Sequence, residues 1–301
     1  MFPQMSDSPR TVAIALGSSF LGFPTHHGFL RQMVADGWAP DEISGASAGA
    51  IVAGLYAGGV DLKDIEALFK RPTLKACFRE LFMTPRAIGT LIGWPGCAAI
   101  FVGRKLGIVL REFVGERRIE DCTKAKLHLA VTNLRTSRVE LRTHGPLVET
   151  ILASCALPGV IAPRRIHGEL LWDGGLGSSV PVEPFLGKSP ATHIAAHSIL
   201  HEPQLRARER SHRYSFTGAM LAGHQLTADE LLHWKAELAR SEGRIVATAE
   251  TITPRPRLGF PLTLPPPKPW PDHAHDLMEM GATSARKVVA KFANTTSRKL
   301  P

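Results

Sequence analysis

Gly45-Ala46-Ser47-Ala48-Gly49 is the stretch of this sequence best suited to chemistry. A serine becomes a usable nucleophile on a tight strand-to-helix turn, where flanking glycines let neighbouring backbone pass without a Cβ clash. The spacing alone is a weak signal, but its surroundings strengthen it. Asp41-Glu42-Ile43-Ser44 leads in as a strand does, and a helix rich in small residues, Ala50 to Ala57, follows directly. A serine nucleophile also needs a base. Asp173-Gly174-Gly175, at the end of the short apolar run Leu170-Leu171-Trp172, offers a carboxylate with glycines that permit close backbone approach. Asp-Gly is also a common turn, so by itself it decides nothing.

Histidine is the rival base. His193, His197 and His201 all follow Asp173, which satisfies the chain order Ser-Asp-His of the α/β-hydrolase fold. That fold builds several strands before its elbow, whereas one complete βα unit precedes Ser47 here. The segment around His197 reads as a strand, where four-residue spacing splits no face cleanly and metal ligation gains nothing.

A third motif, Gly17-Ser18-Ser19-Phe20-Leu21-Gly22, ends the first apolar run. It is no dinucleotide fingerprint, because Ser19 stands where the middle glycine belongs, and no P-loop, because Phe23 follows Gly22. A βαβ crossover of about thirty residues separates it from Ser47, which puts both turns at the carboxyl ends of neighbouring parallel strands. Backbone N–H groups of Ser18 and Ser19 are then candidates for an oxyanion hole facing Ser47.

These motifs need a layered α/β scaffold. Thr11–Leu16 reads as a buried strand, 26–36 as a helix ended by Gly37, and Asp61 as the cap of a helix to Phe69. Helices are expected over 105–114, from Pro146 to Ala156, from Thr227 to Ser241 and over 272–292. Strands are expected over 127–133 and 139–143 as a hairpin, and over 170–172, 192–199 and 244–251. Thr253 to Pro271 is proline-rich and reads as a loop or extended crossover. Strands alternating with helices imply a mainly parallel sheet.

Length and composition bound the rest. The chain has 301 residues, 44% hydrophobic and 21% charged, which excludes disorder for its bulk. The net charge of +9 favours anionic partners without choosing among them. Cys77, Cys97, Cys122 and Cys155 form no CxxC pair and read as free thiols in a reducing compartment. No secretory signal is evident, so a cytoplasmic or membrane-peripheral location is expected. The uncharged stretch Ala87 to Gly103 touches the lower limit for a spanning helix, but its glycines and Pro95 favour buried core or a surface that docks on lipid. Nucleic acid is not an expected partner: no binding motif is present, and the Arg206–Arg210 cluster reads as a solvated face.

Taken together, the turn at Gly17–Gly22, the elbow at Gly45–Gly49 and Asp173-Gly174-Gly175 resemble the patatin-like phospholipase family. Ala153 to Val160 and Val180-Pro181-Val182 also resemble that family's pattern, and the likeness runs from Val12 to about Phe292. The resemblance implies an α/β three-layer sandwich, a mainly parallel central sheet with helices on both faces. It implies a single acyl hydrolase domain over 11–296, with 1–10 and 297–301 as flexible termini. It further implies a Ser-Asp dyad in place of a triad, with Ser47 as nucleophile and Asp173 as base. Gly17, Ser18 and Ser19 would supply the oxyanion hole, Gly45 and Gly49 the elbow, and Gly174 and Gly175 the turn after the base.

The substrate class implied is fatty acyl esters of phospholipids or related lipids, cleaved through an acyl-enzyme intermediate with neither metal nor organic cofactor. Peripheral contact with an anionic membrane accompanies that reading. An acyltransferase or thioesterase would use the same dyad with a different acceptor or ester. The sequence departs from the family pattern at Ser18, Ser19 and Leu21, where two glycines and a basic residue are usual. If Ser18 or Ser19 must adopt a positive φ, strain of about 1 kcal/mol or more is expected there, and a weak or silent lipid-binding protein becomes the alternative.

Overall fold

Val12–Leu16 (β1) is apolar throughout because both of its faces are covered. Val12, Ile14 and Leu16 enter the main core, while Ala13 and Ala15 enter a second, smaller one on the opposite face. The computed structural model describes residues 10–77, 88–90, 93–201, 216–254 and 269–297. The expected flexible segments 1–9 and 298–301, the Arg206–Arg210 cluster and most of the proline-rich stretch lie outside the described residues.

After β1 come Phe23–Ala35 (α1), Glu42–Gly45 (β2), Ala48–Ala57 (α2), Leu62–Lys70 (α3) and Pro72–Ala76 (α4). Then follow Ala99–Phe101 (β3), Arg104–Val114 (α5), Lys126–Asn133 (β4), Arg138–Arg142 (β5) and Leu147–Ser154 (α6). Gly159–Ile161 (β6), Arg164–Ile166 (β7), Glu169–Asp173 (β8), His193–His201 (β9), Phe216–Ser241 (α7), Ile245–Thr253 (β10) and Trp270–Ser297 (α8) complete the order.

The main sheet runs β10-β9-β1-β2-β4-β8-β7, with β5 also paired to β4. Its first five strands are parallel; β8 and β5 run antiparallel to β4, and β7 antiparallel to β8. The sheet is therefore mainly parallel, as expected, with an antiparallel flank that brings β8 and Asp173 back beside β4. Helices cover both faces. The first six helices and α8 contribute to the main core, and α7 covers the second through Ala236 and Ala239.

Three boundaries differ from the sequence expectation for identifiable reasons. Helix α1 starts at Phe23 instead of His26, because Pro24 sits in its first turn, where a missing N–H costs nothing. Helix α7 starts at Phe216, so Thr227 is internal, its hydroxyl donating to the carbonyl of Gly223 one turn back. The short strands β3, β6 and β7 carry too few residues to show a period. In the Ala87–Gly103 stretch, Gly93 and Gly96 take positive φ and break any helix, Ile88 and Trp94 are exposed, and Ala99 and Phe101 are buried in β3. Among the described residues no helix is long and apolar enough to cross a membrane.

Candidate active site

Parallel pairing of β1 with β2, Leu16 opposite Gly45, brings the Gly17 turn and the Ser47 elbow side by side at the carboxyl edge of the sheet. Ala46 and Ser47 link β2 to α2, with the helix capped by Ser47. Its φ of 52° and ψ of −117° lie where an L-residue is strained, a cost of about 1–3 kcal/mol that the surroundings must offset. The flanking glycines are required by close approach. A Cβ on Gly45 would stand 2.5 Å from the Gly49 carbonyl oxygen, and one on Gly49 would stand 2.2 Å from that of Leu16. Helix α2 can then start directly behind the serine, its ten residues all buried.

Asp173 reaches the same edge from β8. It is buried, its Oδ1 accepts the Gly175 N–H at 2.7 Å, and the Ser47 side chain lies near enough to favour its charged form. Burial pushes the carboxyl up to about 7, against the partial relief that Gly175 and Ser47 give. Gly174 allows the turn to lie on β4, where a Cβ would meet the Ala130 carbonyl oxygen at 2.2 Å. Gly175 makes room for Ser18, whose Cβ and Oγ both stand 2.5 Å from where a Gly175 Cβ would be. The serine that replaces a family glycine is thus accommodated by the glycine opposite.

The Gly17 turn differs from its expected use. The Gly17 N–H donates to the His197 carbonyl at 3.0 Å and the Ser18 N–H to the Ser179 carbonyl at 2.7 Å, so both donors are spent inside the fold. The N–H groups of Ser19 and of Ala48, the residue after the elbow serine, have no backbone acceptor among the described residues. Neither Ser18 nor Ser19 takes a positive φ; the strained residue of the turn is Leu21, at φ 57°. The expected strain therefore falls at the position of the usual basic residue.

The histidines are accounted for elsewhere. His193, His197 and His201 lie on one face of β9, because side chains alternate with a period of two and four-residue spacing keeps them together. Successive members are roughly 13 Å apart along the strand, too far to share one ligand. His197 stacks on Phe29, and its ring nitrogens engage His26 Nδ1 at 2.9 Å and Thr251 Oγ1 at 2.8 Å, so neither is left for Ser47. Burial drives His26 down to about 3 and His197 well below the ordinary histidine range, so both stay neutral.

Sequence reasoning passed over the end of α6. The Ser154 hydroxyl oxygen accepts the Ser47 N–H at 3.0 Å, the Cys155 thiol donates to the Ser47 carbonyl at 3.3 Å, and the Ala156 carbonyl accepts the Asp173 N–H at 3.1 Å. The Ala153–Val160 pattern was visible in the sequence, but nothing in it named these partners.

A strained serine at a strand-helix elbow, beside a buried aspartate, is the arrangement on which comparison with known proteins bears. The model of the patatin-like phospholipase family matches residues 15–186. The chain belongs to that family. An uncharacterized NTE family protein of Mycobacterium tuberculosis is 33% identical over 190 residues, 63% of this chain and 49% of that one. A lysophospholipase of Saccharomyces cerevisiae is 28% identical over 190 residues, 62% of this chain but 11% of its own length. The chain thus spans about half the length of the mycobacterial relative and about a tenth of the yeast one. Among solved structures, VipD from Legionella pneumophila aligns with a TM-score of 0.48 at 14% identity, covering 94% of this chain and 67% of that one.

Proposed function

We propose that this member of the patatin-like phospholipase family is a serine acyl hydrolase that cleaves fatty acyl esters of phospholipids or related lipids through Ser47 and Asp173. The observation that carries the reading is a positive-φ elbow serine set beside a carboxylate whose burial raises its proton affinity to about 7. A base with that affinity is ionised in about half the molecules at neutral pH yet accepts a proton readily in the transition state.

Ser47 Oγ attacks the ester carbonyl carbon while Asp173 takes its proton. The carbonyl π pair moves onto oxygen, and the N–H groups of Ser19 and Ala48 are the donors available to that oxyanion. Collapse expels the alcohol, which takes the proton from Asp173, and leaves acyl-Ser47. Water then attacks the acyl carbon, again giving its proton to Asp173, and release of the fatty acid returns the proton to Ser47. No step draws on a metal or an organic cofactor. Peripheral contact with an anionic membrane goes with a lipid-ester substrate, and with it a cytoplasmic or membrane-peripheral location. The sister chemistries, acyl transfer and thioester hydrolysis, would differ in acceptor or ester only.

Hydrolysis of a chain-length series of p-nitrophenyl esters by wild type, Ser47→Ala and Asp173→Asn tests the reading, with circular dichroism as the folding control. Loss of activity in both variants, and of fluorophosphonate labelling in Ser47→Ala, is the expected result. Labelling that persists without Ser47 overturns it. The commitment of the Gly17 and Ser18 N–H groups favours a second reading, a lipid-binding protein with little or no hydrolysis. Salt-sensitive binding to anionic vesicles by a wild type inert on every ester would favour that one.

A further inference from the structure

The strained elbow and the buried aspartate lie far apart in the sequence, and among the described residues no hydrogen bond joins their backbones directly. Both are tied instead to three consecutive residues. Ser154 Oγ accepts the Ser47 N–H at 3.0 Å, Cys155 Sγ donates to the Ser47 carbonyl at 3.3 Å, and the Ala156 carbonyl accepts the Asp173 N–H at 3.1 Å. Ser154, Cys155 and Ala156 are all buried; Ser154 ends α6, which packs against α2 and β4, and Cys155 and Ala156 follow it directly. The tie therefore rests on rigid structure on both sides.

We propose that Ser154, Cys155 and Ala156 act as a clamp that holds the Ser47 elbow in its positive-φ conformation and sets the reach of its hydroxyl to Asp173. This inference rests on the hydrolase reading for its catalytic consequence, but its geometry stands without it. A peptide unit at positive φ persists only where its polar groups are held from outside. Here one side chain satisfies the N–H, and the other adds a bond to a carbonyl that also receives the N–H groups of Ala50 and Ile51 at 2.9 and 3.2 Å. Ser154 and Cys155 are positioning residues: they act on the hydroxyl through the backbone that carries it. Ala156, whose contribution is a backbone carbonyl, extends the same clamp to the base. A misplacement of about 1 Å between reacting groups costs on the order of 100-fold in rate, so a loosened clamp would register in turnover before it registered in substrate binding.

The test uses Ser154→Ala, Cys155→Ala and Cys155→Ser with two readouts on the full chain. The first is amide hydrogen exchange by NMR, with the Asp173 N–H as reporter, because its bond to Ala156 is touched by none of the substitutions. The second is turnover of a p-nitrophenyl ester per folded molecule. The clamp predicts that Ser154→Ala speeds exchange at Asp173 at least about tenfold relative to Ile14 of β1, and lowers kcat about 10- to 100-fold with KM within about twofold. Cys155→Ala gives a smaller loss, and Cys155→Ser, which keeps a donor, recovers most of it. Equal acceleration at Asp173 and Ile14 with unchanged turnover per folded molecule overturns the clamp. Selective acceleration at Asp173 in a protein whose wild type is inert supports the clamp and removes the hydrolase reading, so the two fail separately.

Discussion

Two carboxylates, Asp173 and Glu42, share the same 3% exposure, with Asp173 the more deeply packed, and the fold treats them in opposite ways. Glu42 begins β2, at the amino edge of the sheet, five positions before Ser47 along the chain. Its oxygens meet His128 Nε2 at 3.1 Å, the Ser189 hydroxyl at 3.1 Å and Lys126 Nζ at 3.4 Å. Burial pulls the Glu42 carboxyl upward, but His128, Lys126 and Ser189 together hold it below its ordinary value. Asp173, at the carboxyl edge, accepts a hydrogen bond from Gly175, has the Ser47 side chain nearby and no cationic partner among the described residues, and burial wins. Low exposure alone therefore does not raise a carboxylate. What separates the two is depth of packing together with the partners supplied at each end of the sheet: a full set at the amino edge, which makes a structural tie, and a sparse set around the more deeply packed Asp173, the proposed base.

The largest effect expected is on catalysis. Ser47→Ala and Asp173→Asn each lower kcat at least about 1,000-fold, and the double variant is scarcely worse than either, because residues acting as one unit do not add. Glu42→Gln leaves kcat per folded molecule within about twofold. Steady-state kinetics on the four proteins check this, and a Glu42 effect as large as that of Asp173 would break the contrast.

The pH dependence comes next. Asp173 must be ionised to act as base, so kcat/KM rises with pH and reaches half its plateau near pH 7. A rate profile flat from pH 5 to 9 would remove Asp173 from the role.

Stability should respond with opposite signs. The folded state of Asp173 holds its proton more tightly than the unfolded one, whose carboxyl titrates near 3.8, so its contribution to stability falls as pH rises from about 4 to 7 and stays low above that. Glu42, held low, contributes stability above its unfolded value of 4.5 and loses it as pH falls through the folded value. At pH 8, Asp173→Asn is expected to stabilise and Glu42→Gln to destabilise, each by about 1–3 kcal/mol in urea unfolding. The same sign for both would sink the comparison. The smallest effect belongs to Lys126→Ala: its side chain is 63% exposed, so its ion pair with Glu42 is worth less than about 1 kcal/mol.

Much of this was legible in the sequence. The continuous apolar run of β1, the glycines around Ser47 and the Asp-Gly-Gly turn are local signals, since each depends on backbone constraints within a few residues. The parallel neighbourhood of β1 and β2 followed from one crossover length. Other features had no local signal. Helix α7 began earlier than Thr227 because an internal threonine can bond back to its own helix as easily as it caps one. The regular spacing of the three histidines of β9 did not name their partners, and only the fold pairs His197 with His26 from α1 and Thr251 from β10.

What the sequence determined by itself was the inventory and order of parts: a serine elbow, a glycine-rich turn before it, an acidic turn after it, and the alternating strands and helices that carry them. Only the tertiary structure decided how those parts are used. The Gly17 and Ser18 N–H groups go to carbonyls of residues far along the chain, Ser18 fits into the space left by Gly175, and Ser154 to Ala156 bind both halves of the site. The physical reason is range. Backbone conformation is set by neighbours in sequence, whereas hydrogen-bond partners and the desolvation that raises Asp173 to about 7 are set by whatever the fold packs beside them.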